Sequence, residues 1–196
     1  NNCTLRRNRA VGGGGGAYAA TLNNCELTAN SADTGGGAQN ATLNNCTLMG
    51  NLASRYGGGA CDGTLNNCVV YYNNTVSSSG ENHVYSTLNY CCTTPLPSSG
   101  VGNLSAEPQL ASTSHLSADS PCRGAGSAAY ATGTDIDGEP WANPPSIGCD
   151  EHLTGSLTGD LSVEIMTYHT NVAVGFPADF IAVIGGRAGG SRWDFG

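Results

Sequence analysis

Along the first half of the chain, apolar and polar residues alternate in short runs that recur at a nearly fixed period. Thr-Leu-Asn-Asn-Cys stands at 21–25, 42–46 and 64–68; Asn-Asn-Cys stands at 1–3, and a degenerate Thr-Leu-Asn-Tyr-Cys at 87–91. Cys3, Cys25, Cys46, Cys68 and Cys91 are therefore spaced 22, 21, 22 and 23 residues apart. Glycine runs fall between the motifs at 12–16, 35–37 and 57–59, and Ser77-Ser78-Ser79-Gly80 takes their place in the fourth repeat. Cys25-Glu26-Leu27-Thr28 and Cys46-Thr47-Leu48-Met49 alternate with Cys and Leu on one face, the period of a β-strand. Leu22 and Leu43 supply an inward residue before a corner. Asn24 and Asn45 suit that corner, because Asn tolerates the left-handed backbone and its amide can bond the next rung. The glycines mark a second corner.

A leucine-rich repeat would carry its own Leu/Asn ladder, and helical repeats need Ala/Leu/Glu/Lys faces that Gly, Asn and Thr oppose. About 22 residues of short strands and corners instead close one coil, stacked about 4.8 Å from the next. The expected fold is all-β: a right-handed parallel β-helix of about 22-residue coils.

Composition narrows the class. The chain has 196 residues, 29 of them Gly, and 11% are charged. The glycines show no G-X-Y period, which excludes collagen, and charge is too sparse for a disordered polyelectrolyte. Fifteen acids oppose seven bases for a net charge of −8, and every base is Arg. A nucleic-acid ligand is not expected from that balance. With no Lys there is neither a Schiff-base nor a P-loop lysine. No stretch approaches the roughly 20 apolar residues of a membrane span. Asn1 falls inside a repeat and the chain stops at Trp193-Asp194-Phe195-Gly196, so it reads as an internal piece of a longer protein.

The repeated cysteines read as a buried thiol ladder of Cys3, Cys25, Cys46, Cys68 and Cys91. Side chains on stacked rungs run parallel, leaving Cβ atoms about 4.8 Å apart, beyond the usual disulfide range of about 3.5–4.5 Å. A linear stack also diverges from the tetrahedral arrangement zinc needs. No cofactor is expected. Cys61 and Cys92 have no assigned role.

"ATLNNCELTANSADTGGGA" and its repeats over residues 1–92 resemble secreted right-handed β-helix proteins of the pectin-lyase-like superfamily. "NLSAEPQLASTSHLSADSPCRGAG" at 103–126, "TDIDGEP" at 134–140 and "SIGCDEH" at 146–152 resemble, in order, the ending of choice-of-anchor Q domains. Cys149 departs from that pattern, in which many relatives carry a small residue. Residues 161–196 resemble the first half of a PKD domain, an Ig-like β-sandwich, with a strand-like alternation from Val172 to Phe180. The resemblance divides the chain into coils at 1–102, a cap module at 103–152 that closes the coil stack, a linker at 153–160 and a partial Ig-like sandwich at 161–196. It implies an extracellular or cell-surface protein of adhesion or carbohydrate binding, with a polysaccharide or surface glycan as partner. The alternatives are part of a secreted polysaccharide lyase or hydrolase with catalytic coils upstream of Asn1, and a purely structural stalk. The secreted setting makes Cys122 and Cys149, which flank the cap, the disulfide to expect.

Catalytic residues are not assigned. Enzymes of this resemblance cluster acids on the coil surface, whereas Glu26, Asp33, Asp62 and Glu81 do not stack at the repeat spacing. Arg6, Arg7 and Arg9 have no acid column nearby and read as a solvated edge. His83, His115, His152 and His169 show no partner spacing, and nothing orders a Ser/His/Asp triad. Asp135-Ile136-Asp137-Gly138 resembles the start of a calcium loop, so Asp135, Asp137 and Asp150 are calcium candidates if the fold returns further ligands such as Glu139 or Glu151. The competing reading is a turn held by Asx hydrogen bonds. Tyr18, Tyr56, Tyr71, Tyr72, Tyr85 and Tyr90 are placed either to stack on sugar rings or to pack on the coils.

Overall fold

The computed structural model of the chain describes residues 1–77, 80–152, 162–167 and 180–185. It is all-β and contains a right-handed parallel β-helix. One sheet joins β1 (Thr4–Arg6), β4 (Glu26–Thr28), β8 (Thr47–Met49), β12 (Val69–Tyr71) and β16 (Cys92–Thr93). A second joins β2 (Ala17–Tyr18), β6 (Ala38–Gln39), β10 (Ala60–Cys61) and β14 (His83–Val84). A third joins β3 (Thr21–Asn23), β7 (Thr42–Asn44), β11 (Thr64–Asn66) and β15 (Thr87–Asn89), and a fourth β5 (Ser31–Thr34), β9 (Leu52–Tyr56) and β13 (Asn74–Thr75). All pairings within these sheets are parallel, and Leu5, Leu27, Leu48 and Val70 lie in one register.

Four columns of left-handed residues turn each coil. They are Asn2, Asn24, Asn45, Asn67 and Tyr90; Arg7, Ala29, Gly50 and Tyr72; Gly14, Gly35, Gly57 and Gly80; and Ala19, Asn40, Asp62 and Tyr85, with φ between 48° and 67°. The glycine column is followed by chain packed too closely for a side chain: a Cβ on Gly58 would lie 2.3 Å from the Asn74 carbonyl oxygen.

Inside the coils, Cys25, Leu27, Leu43, Cys46, Leu48, Leu65, Cys68, Val70, Leu88 and Cys91 are fully buried and form one cluster. Cys3, in the first coil, is exposed. A polar ladder lies beside this cluster. Asn8, Asn30, Asn51 and Asn73 each donate a main-chain N–H and a side-chain amide to the Oδ1 of the next Asn, ending on Asn82, at 2.9–3.1 Å. A second Asn ladder, Asn23, Asn44, Asn66 and Asn89, runs along the outside.

Strand alternation alone would leave Glu26, Thr47, Val69 and Cys92 in solvent, but all four are buried. The chain beyond the coils covers them. Leu104 bridges Cys92 and Asn103 bonds Cys91, so this stretch adds a partial rung to the stack. The chain then returns along the flank of the first sheet. Val69, Cys92, Leu116, Cys122 and Ile147 form a second apolar cluster between coil and return segment. Corner asparagines pin it: Asn67 exchanges bonds with Ser127 at 2.8 Å, Asn24 donates to Thr134 at 2.7 Å, and Asn2 donates to the Asp135 carbonyl.

β17 (Ser162–Thr167) and β18 (Phe180–Gly185) form an antiparallel pair. The 153–160 linker, most of the Val172–Phe180 alternation and the Trp-Asp-Phe-Gly ending lie outside the described residues. Among the described residues no helix is long and apolar enough to cross a membrane.

Candidate functional site

The return segment gathers acidic groups from two of its own stretches, 135–139 and 150–151. Asp135 is fully buried at the start of the Asp135-Ile136-Asp137-Gly138 turn. Its Oδ1 accepts the main-chain N–H groups of Asp137 and Glu139 at 3.0 and 2.7 Å, and its Oδ2 accepts that of Glu151 at 3.0 Å. This is the Asx-turn chemistry expected of such a sequence, and it also ties the turn to the 146–151 strip. Burial pushes the Asp135 carboxyl above its ordinary range, against the pull of those three N–H groups. Glu151 organises the same strip by accepting from Ser146 N at 2.8 Å and Ser146 Oγ at 2.6 Å.

Asp150 is also fully buried. Its Oδ2 accepts Leu116 N–H at 2.8 Å, whereas its enclosed Oδ1 has no hydrogen-bond partner. Burial raises its pKa to about 6, opposed by that N–H and by His115. The enclosed Oε2 of Glu139 likewise has no partner. Ligand atoms of Asp135, Glu139 and Asp150 lie within 4.8 Å of one another, as do those of His115, Asp137 and Asp150. Asp150 thus joins two groups, one with Asp135 and Glu139 and one with Asp137 and His115, so that each of the other two calcium candidates meets Asp150.

His115 is the residue that sequence reasoning missed. Its Nε2 pairs with Asp137 Oδ2 at 2.7 Å and its Nδ1 with Ser112 Oγ at 2.6 Å and Ser114 Oγ at 3.1 Å. Ser112, His115 and Asp137 are therefore in line, like a hydrolase triad. The serine is not placed to attack. Ser112 is 5% exposed, and its Oγ already accepts the N–H groups of Ser114 and His115 at 3.3 and 3.0 Å. With its lone pairs directed at two N–H groups and its proton toward Nδ1, the hydroxyl shapes a turn.

The other sequence-selected residues fall elsewhere. Each of the nine cysteines is a free thiol. Cys149 lies against Thr47 and Ser114, while Cys122 packs in the cluster that holds Cys92, so the expected Cys122–Cys149 disulfide is not formed in this structure. Arg6 and Arg7 both pair with Glu164 of β17, Arg6 at 2.9 Å, so this edge is salt-bridged as well as solvated. Tyr18 and Tyr85 are exposed, Tyr71 stacks edge-on against Tyr72 at 4.9 Å, and Tyr72 donates to Glu107.

The outer side of the third sheet carries a regular polar face. Thr21, Thr42, Thr64 and Thr87 stand in one register on consecutive coils, all exposed. Neither a family model, nor a curated protein, nor a solved structure matches this chain.

Proposed function

We propose that this chain is part of an extracellular, cell-surface β-helix of the pectin-lyase-like kind that binds an extended polysaccharide without cleaving it. The observation that carries this reading is the in-register, exposed column of Thr21, Thr42, Thr64 and Thr87. Parallel stacking sets their hydroxyls at a repeat of about 4.8 Å on a flat strand face. Beside them the outer Asn ladder is held by its own amide bonds at 2.9–3.1 Å, which keeps the face rigid. Tyr18 and Tyr85, 59% and 77% exposed, stand just before the first and last of these threonines in the chain and offer aromatic ends to a sugar polymer. Such a face gains affinity by repeated weak contacts along the polymer. The choice-of-anchor Q and PKD resemblances support a surface setting in which further modules space and anchor the coils.

A glycan array probed with the 196-residue chain tests this. At least one extended polysaccharide should bind, and a Thr42→Val, Thr64→Val double variant should bind it roughly tenfold less, as two lost hydroxyl contacts of about 0.5–1.5 kcal/mol each imply. Binding confined to short oligosaccharides, or unchanged in the double variant, would exclude the threonine face as the site.

A further inference from the structure

The geometry points to a divalent-cation site of the calcium type in the return segment, formed by Asp135, Glu139 and Asp150 with Asp137 beside them. Carboxylate oxygens of Asp135, Glu139 and Asp150 meet there, Asp137 approaches Asp150 from the side of His115, and among the described residues no arginine pairs with Asp135, Glu139 or Asp150. Their oxygens are chemically prepared for a hard cation. Asp150 Oδ1 and Glu139 Oε2 are both enclosed and partnerless, and a buried charge without a partner is costly. Asp135 Oδ2 accepts a single N–H and keeps a lone pair free.

The spacing fits as well. Ligand oxygens about 2.3–2.6 Å from calcium lie up to about 5 Å from one another, and one oxygen from each of these three carboxylates lies within 4.8 Å of the others. The donor set is mainly oxygen, the preference of calcium over the softer transition metals. His115 belongs to the outer layer: its Nε2 pairs with Asp137 Oδ2 at 2.7 Å, which orients that carboxylate toward the cluster.

The cation would act as a structural clip. Asp135 and Glu139 belong to the turn that Asn2 and Asn24 hold at Asp135 and Thr134, and Asp150 belongs to the strip that lies on Thr47. A cation shared between turn and strip fastens the return segment across the coil flank, and it does so whether or not the threonine face binds a polymer.

Terbium luminescence sensitised by Trp141, two residues beyond Glu139, reads this site directly. The chain should bind one terbium ion, calcium should displace it, and calcium at about a hundred times its Kd should raise the melting midpoint by roughly 5–10 °C. Glu139→Gln and Asp150→Asn should each weaken binding at least tenfold, while Asp33→Asn, on the exposed coil surface, leaves it unchanged. Glu139→Gln removes a partnerless charge, so its calcium-free melting midpoint should hold or rise, which separates loss of binding from loss of fold. No calcium-dependent change in the midpoint, or terbium affinity unaltered in Glu139→Gln, would overturn the assignment.

Discussion

Asn51 donates both its main-chain N–H and its side-chain amide to a single atom, Oδ1 of Asn73, at 3.0 and 2.9 Å. Its own Oδ1 accepts the equivalent pair from Asn30, at 2.9 and 3.0 Å, and its amide also reaches the Leu27 carbonyl at 2.8 Å. All of this occurs where Asn30 and Asn51 are essentially inaccessible. Asn51→Ala therefore strands two donors of Asn30 in the core and removes the amide that reaches the Leu27 carbonyl, while the main-chain N–H at 51 still donates to Asn73 Oδ1. At about 1–3 kcal/mol for each unsatisfied buried group, a loss of about 3 kcal/mol or more is expected in urea unfolding. Asn44→Ala, on the half-buried outer ladder, should cost about 1 kcal/mol. Equal losses at the two sites would contradict the inner ladder's role.

The signal for that ladder was present in the chain but lay outside the strongest motif. Asn30, Asn51 and Asn73 keep the same spacing as Cys25, Cys46 and Cys68, yet the residues around them change from coil to coil. The Thr-Leu-Asn-Asn-Cys period was legible because every coil must place the same inward leucine and the same left-handed corner. The return segment was not, since it has no period and its contacts join residues such as Asn2 and Asp135 that are 133 apart. For the same reason Thr47 and Val69 read as outward-facing although the fold buries them. Likewise, no local pattern pairs His115 with Asp137, 22 residues further on. The calcium-loop resemblance located Asp135 and Asp137, but the approach of each to Asp150 is a product of tertiary folding.

Gly58 and Gly12 provide a test of how tightly the coils close. A Cβ on Gly58 would lie 2.3 Å from the Asn74 carbonyl oxygen and 2.4 Å from that of Glu81, both backbone atoms with little freedom to yield. A Cβ on Gly12 meets nothing within 4 Å. Gly58→Ala should lower stability by at least about 1–3 kcal/mol, whereas Gly12→Ala should be neutral or stabilise by up to about 1 kcal/mol by restricting the unfolded chain. Thermal melting of the two variants side by side decides it.

The buried thiols make the fold sensitive to alkali. Burial pushes Cys46, Cys68 and Cys149 well above the ordinary thiol value, and Cys25 is raised by its neighbour Cys46 as well as by burial. A folded pKa above the unfolded one gives stability that is complete below the unfolded value and is lost as pH rises past it. Above about pH 8.5–9, each such thiol should remove up to about 1.4 kcal/mol of stability per pH unit. The urea midpoint should therefore fall more steeply between pH 9 and about 10.5 than between pH 7 and 8. A Cys46→Ala, Cys68→Ala double variant should show a shallower slope. In the folded protein at neutral pH, exposed Cys3 should be alkylated first and the interior thiols much more slowly.

Catalysis by the coil surface is not expected, and the positions of its acids give the reason. Glu26 is buried beneath the return segment and accepts from Thr28 Oγ1 at 2.7 Å. Asp33 belongs to the fourth sheet, Asp62 to a corner column shared with Ala19, Asn40 and Tyr85, and Glu81 follows the glycine corner. Acid–base cleavage of a uronate polymer needs titratable groups within hydrogen-bond reach of one sugar linkage, and these acids stand on different sides of the coil. Ser112 has its hydroxyl committed to a turn. Incubation of the chain with pectin, alginate and related polymers, with and without calcium, should yield no unsaturated products. Steady product formation that disappears in Asp33→Asn or Asp62→Asn would place a lyase on the coil surface and replace the binding reading with a catalytic one.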